Sequence, residues 1–189
     1  LQNNIRPRDI ITERSMSNAI AVDMALGCST NTVLHLPAIA HEAGISLDLD
    51  KFDEISRKTP HLCDMCPAGP HFLQDLNEAG GIPAVMAELT KLGLLNLDTM
   101  TCTGYTLSEN LRGKKILRSD VIRTTDNPYH PVGGIAIMKG NLAPDGCVVK
   151  QSAVLQEMMV FSGTAKVFNS EEEATDAIIT HQIKKGDVV

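Results

Sequence analysis

Apolar residues fall at helical spacing through most of the first 112 positions of the chain. "ERSMSNAIAVDMAL", residues 13–26, places Met16, Ala19, Ile20, Ala25 and Leu26 on a helical repeat, with Ser15 or Ser17 as its expected cap and Gly27 as its breaker. "TNTVLHLPAIAHEAG" predicts a second helix with apolar Val33, Leu34, Leu36, Ile39 and Ala40; Pro37 falls in its first two turns and Gly44 closes it. "DLDKFDEISRK" predicts a third behind Asp48 or Asp50, and "IPAVMAELTKLG" a fourth, with Pro83 near its start and Gly93 at its end. Beyond Arg112 the period shortens. "DVIRTT", "GGIAIMKG", "GCVVKQSAV" and "AKVF" are short β-rich runs, separated by the turn residues of "DNPYHPVGG" and "NLAPDG". "SEEEATDAIITHQI" returns to helix, with Ser170 as cap and Glu171 to Glu173 suited to the positive N-terminus.

The pattern therefore predicts an α/β chain in two parts. Residues 1–112 are the helix-rich end of one domain and residues 113–189 the start of a β-rich one, with the basic turn Gly113–Ser119 between them. The chain begins at Leu1 rather than Met and stops at "KKGDVV", where an apolar strand is just beginning, so a piece of a longer protein is expected.

Composition narrows the function. Apolar residues make up 43% and charged ones 21%, values usual for a water-soluble globular chain. No run of eighteen apolar residues exists, so no membrane span is expected, and no export signal opens the chain. The net charge of -6 carries no basic stripe, and two Tyr, four Phe and no Trp leave few platforms for bases, which disfavours nucleic acid as a partner. Five cysteines cannot all pair internally; free thiols or metal ligands in a reducing compartment, the cytoplasm, are expected.

Two segments could carry chemistry. "PHLCDMCPAGPH" sets Cys63 and Cys66 two residues apart between His61 and His71, but a closed zinc site needs four ligands and no second pair exists. The prolines around it suggest an irregular loop with one buried and one loop thiol. "ALGCSTNTVLHL" places Cys28 after a turn-forming Gly27 and just before a helix, where free N–H groups favour a thiolate. Ser29, Thr30 and Asn31 are donors and acceptors beside it. The bland alternative is that one of these three caps the helix and Cys28 is a small buried residue. His35 is expected in the interior, and His130, in a Pro-bracketed loop, is a candidate substrate contact or a loop-ordering group.

"MALGCSTNTVLHLPAIAHEAG", "EAGGIPAVMAEL", "DNPYHPVGGIAIMKGNLAPDGCVVK" and "VFNSEEEATDAI" resemble the IlvD/EDD dehydratase family over the whole chain. Family chains are about three times longer, so the resemblance implies a central piece: the end of an α/β N-terminal domain and the start of a β-barrel-like C-terminal one. It implies a hydro-lyase that converts a 2,3-dihydroxy acid to a 2-keto acid in branched-chain amino-acid synthesis. The cofactors implied are an iron–sulfur cluster, 2Fe-2S or 4Fe-4S, as Lewis acid, and magnesium on the substrate's carboxylate.

Of three cluster cysteines, the resemblance assigns one to this chain, at Cys28. Ser29, Thr30, Asn31 and His130 are the substrate-binding candidates. The magnesium ligands, the modified lysine and the serine base lie outside these residues, so the chain carries no catalytic residue and is expected to be inactive alone. A homodimer is implied for the full-length enzyme. A sugar-acid dehydratase of the same family is the second reading. From a different class, a small metal-binding or interaction module built on Cys63 and Cys66 is the third.

Overall fold

The computed structural model describes residues 4–189. The chain mixes helix and sheet and forms two compact units, Leu1–Ala153 and Val154–Val189.

The first unit is built around one helix. After α1 (Pro7–Ile10), α2 spans Glu13–Leu26. Its cap is Thr12 rather than either serine expected: Thr12 Oγ1 accepts from the Ser15 amide at 3.2 Å, and Ser15 Oγ accepts from the Thr12 amide at 2.9 Å. Ser15 thus takes the place a Glu or Gln usually fills in this reciprocal arrangement, which period alone did not reveal. The helix ends at Gly27 with φ 59°, a left-handed conformation that glycine adopts without a Cβ penalty.

Apolar residues of α2 face two ways. Ala21, Ala25 and Leu26 join Leu62, Cys63, Leu76, Val85, Leu89, Val121 and Ile122 in one core cluster. Ile20 and Met24 join Val33, Phe52, Ile135 and Ile137 in another. A helix buried on both faces is the common wall of two cores, and the unit depends on it.

Helices α3 (Thr32–Glu42), α4 (Leu49–Lys58), α5 (Leu73–Glu78), α6 (Gly81–Thr90) and α7 (Leu107–Asn110) complete the helical part. Asp48 caps α4 by accepting from the Lys51 amide at 3.0 Å. His35 is exposed, not interior, because α3 turns Val33 and Ala40 inward and leaves Leu34, His35 and Ile39 outside.

Strands β1 (Ala136–Met138) and β2 (Cys147–Val149) pair antiparallel, with Ile137 opposite Val148. Ser56 of α4 anchors the chain just before β1: it donates to the Ile135 carbonyl at 2.5 Å and accepts the Gly133 amide on its own carbonyl at 2.8 Å. "DVIRTT" forms a single bridge, Ile122 with Cys63, instead of a strand, because its neighbouring amides bond elsewhere. Leu117 donates to Ala79, Arg123 to Leu62, and Thr125 to Glu88.

In the second unit β3 (Thr164–Ala165) and β4 (Asp187–Val188) pair parallel. A parallel pair needs a crossover, and α8 (Glu171–Ile179) supplies it. Ser170 caps α8, accepting from the Glu173 amide at 3.2 Å. No closed barrel is detected among the described strands.

Phe52 is 0% exposed inside the second core cluster. Phe52→Ala should destabilise the chain by about 3–5 kcal/mol in urea unfolding. Leu142→Ala, at a side chain 97% exposed, should change it by less than about 0.5 kcal/mol. Equal effects would mean that the α2–α4 wall is not the structural centre.

Candidate functional site

Four segments meet at Gly27. A Cβ there would overlap the His61 imidazole, and a Cβ on Gly134 would overlap the Gly27 backbone. The Gly134 amide bonds the Met24 carbonyl at 3.0 Å, and the Ser152 amide bonds the Gly134 carbonyl at 3.2 Å. The C-terminal end of α2, the 61–63 segment, the Gly133–Gly134 turn and residues 150–152 are thereby packed backbone to backbone.

Cys28 follows Gly27 and is half-buried. Helix α3 starts only at Thr32, so the thiol sits beyond the first turn, where the helix dipole acts most strongly. Its amide bonds the Asp23 carbonyl at 3.3 Å, and its sulfur packs against the core cluster that holds Cys63. Burial first, and then the Asp23 carboxylate beside it, push the Cys28 thiol up to about 12, the opposite of the thiolate expected at a helix N-terminus. Burial pushes Cys63 up to about 12 as well. Asp23 is itself raised by burial, against the Thr32 hydroxyl that donates to its Oδ2 at 2.9 Å; its Oδ1 has no partner among the described residues.

The remaining candidates have local roles. Ser29 Oγ accepts from the Asn31 amide at 3.2 Å, and the carbonyls of Ser29, Thr30 and Asn31 accept the first amides of α3. Asn31 stands at the cap position without a side-chain cap bond. Ser29 and Asn31 are exposed, Thr30 is half-buried. His130 is exposed and bridges to His61: the His61 amide donates to the His130 carbonyl at 2.9 Å, and the two rings stack with centroids 5.4 Å apart. His61 itself is 3% exposed, and burial together with the nearby His130 pushes it down to about 4.

Cys63 and Cys66 do not act as a pair. Cys63 is fully buried and Cys66 exposed, because the Cys66 amide turns to the His71 carbonyl at 2.7 Å in a separate loop bridge. No group of three or more His, Cys, Asp or Glu among the described residues is arranged to hold a metal ion. Cys28 offers one soft sulfur donor of the kind an iron–sulfur cluster takes, and a thiol gives up its proton when metal binds.

Asp23 and Arg123 were not singled out by sequence reasoning, since neither belongs to a spacing that announces chemistry. A cleft of about 540 Å³ beside α2 and α4 contains none of these residues. Its charges are internally paired, Glu54 lying between Lys51 at 2.9 Å and Lys58 at 2.8 Å.

Two family models match the chain: the dihydroxy-acid/6-phosphogluconate dehydratase N-terminal model over residues 1–110 and the corresponding C-terminal model over residues 120–189. Curated relatives named dihydroxy-acid dehydratase align over all of it. The one from Nitratidesulfovibrio vulgaris strain DP4 is 62% identical over 191 residues. Those from Lachnoclostridium phytofermentans and Clostridium kluyveri are 61% and 59% identical over 189 residues. In each case all of this chain is covered but 34% of the relative, so the chain spans about a third of their length. The chain belongs to the dihydroxy-acid/6-phosphogluconate dehydratase family.

Two measurements check the site. With iodoacetamide at pH 8, Cys66 and Cys102, both exposed, should alkylate first, and Cys28 and Cys63 should lag far behind, read by peptide mass spectrometry. A fast Cys28 would contradict the buried thiol. His61 has a folded pKa below its unfolded value, so the unfolded chain binds more protons between about pH 6.5 and pH 4. Stability from this group is full above that window and is lost as pH falls through it, a loss of order 3 kcal/mol. His61→Phe should flatten the acid limb of a stability-versus-pH curve.

Proposed function

We propose that these residues serve, in a protein of the relatives' length, a hydro-lyase that dehydrates 2,3-dihydroxy acids to 2-keto acids in branched-chain amino-acid synthesis. The observation that carries the reading is the match of all 189 residues at 59–62% identity to relatives named for that activity. The reaction removes the proton at C2 and the hydroxyl at C3, and the enol formed then ketonises. In this reading the base for C2 lies outside these residues, so this chain contributes scaffold and substrate-facing surface and is inactive alone.

Of the iron–sulfur cluster and magnesium implied for such an enzyme, Cys28 would supply one sulfur ligand to the cluster; the other cluster cysteines and the magnesium ligands lie outside these residues. The substrate is a small acid, the setting the cytoplasm, and the full-length enzyme a homodimer. No helix among the described residues is long and apolar enough to cross a membrane.

The full-length protein, purified without oxygen, should turn over 2,3-dihydroxyisovalerate at least about a hundredfold faster, by kcat/KM, than 6-phosphogluconate. The reverse preference would favour the sugar-acid reading. Cys28→Ser in that protein should lose most of its iron and visible absorbance, whereas Cys66→Ser should keep them; unchanged iron in Cys28→Ser would remove Cys28 as a ligand.

A further inference from the structure

Of the seven arginines, Arg6, Arg14, Arg57 and Arg118 pair with carboxylates at 2.6–2.9 Å. Arg8 and Arg112 are exposed. Arg123 is different: it is half-buried, and its guanidinium has neither an ion-pair nor a hydrogen-bond partner among the described residues. Its guanidinium carbon sits over the Tyr129 ring, 3.8 Å from the centroid. An arginine taken partly out of water usually finds an anion. This one has all five N–H donors free and its orientation already fixed.

The fixation is thorough. The Arg123 amide bonds the Leu62 carbonyl at 2.9 Å, and the Tyr129 amide bonds the His61 carbonyl at 2.9 Å. Tyr129 Oη donates to the Asp120 carbonyl at 3.3 Å, which holds the ring that carries the guanidinium. Between them, the Thr125 amide and hydroxyl both donate to buried Glu88, at 2.9 and 3.1 Å. His130, the next residue after the platform, stacks on His61 at an interplanar angle of 8°. His61 in turn rests on Gly27, next to Cys28. So the free guanidinium belongs to the same constellation as the candidate residues, and its loop is anchored on α6 and on the 61–63 segment.

We propose that Arg123, held on the Tyr129 ring, is a carboxylate-binding residue that takes the acid end of a small hydroxy acid. A guanidinium fork matches a carboxylate in two parallel N–H···O bonds. A fork already immobilised on an aromatic face loses little entropy when the acid arrives. The identity of the acid rests on the dehydratase reading; the carboxylate site does not.

The test uses 2,3-dihydroxyisovalerate and its neutral primary amide as probes, titrated into the 189-residue chain and followed by amide chemical shifts. The acid should shift residues 123–130 and bind at least about tenfold more tightly than the amide. Arg123→Met should weaken the acid about tenfold or more, and Tyr129→Leu several-fold. Arg123→Lys keeps the charge and the aliphatic stem but loses the fork, so it should fold like the parent and still lose several-fold. That variant keeps the test decisive if Arg123→Met unfolds. Acid and amide binding alike, or Arg123→Lys binding the acid like the parent, would overturn the site. The two readings fail separately: a full-length protein without turnover but with Arg123-dependent acid binding sinks the dehydratase reading alone. Turnover with KM and kcat unchanged in Arg123→Lys sinks the site alone.

Discussion

Direct backbone contact at Gly27 is the constraint on which the rest of the first unit depends. Helix α2 must end there in a left-handed turn; the His61 ring occupies the space where a side chain on residue 27 would stand, and the Gly27 backbone occupies that of a side chain on residue 134. Any larger residue would have to push apart the 61–63 segment and the turn that leads into β1. Because α2 is also the shared wall of both core clusters, a shift at its C-terminal end would reach both cores. Interiors packed at near-crystalline density do not absorb such a shift locally. The glycines at 27 and 134 therefore act as one feature, though they lie more than a hundred positions apart in the sequence.

The same closeness sets the surroundings of the thiol beside Gly27. The strap at residues 150–152 and the 61–63 segment lie against the end of α2, leave the Cys28 side chain half-buried, and the turn into α3 brings it against Asp23. Here burial and a carboxylate outweigh the single nearby cation, Lys150, that favours the thiolate. Without metal, position before a helix does not lower the thiol when the helix starts several residues later; a metal that binds the sulfur displaces the proton itself.

Much of the helical framework was legible from period and punctuation. The Asp48 and Ser170 caps and the Gly27 stop of α2 follow from local rules that need no partner. The buried-versus-loop contrast between Cys63 and Cys66 was also legible, since three prolines around them argue against a shared face. What local rules missed depends on distant partners. The Thr12 cap required a serine in an unusual reciprocal role. "DVIRTT" has strand composition, but its amides are taken by Leu62 and Glu88, so it becomes a set of anchors. His35 follows a helical repeat whose inward face is set by which side of α3 meets α2, a fact of tertiary packing alone.

The loop of residues 123–130 shows what those anchors achieve. A loop rich in Asp, Asn and Pro would ordinarily be the most mobile part of such a unit. Its backbone is instead anchored on other elements: Glu88 on α6 and His61 and Leu62 in the bridge segment. The desolvation of Glu88, 4% exposed, is offset by Lys91 at 2.6 Å and the two donors of Thr125. Such an investment of buried polar partners in one loop fixes its direction rather than merely its presence. With the loop fixed, the guanidinium of Arg123 has one orientation, set by the Tyr129 ring. A guanidinium already held on an aromatic face, with no carboxylate of its own among the described residues, loses little freedom when an acid binds it.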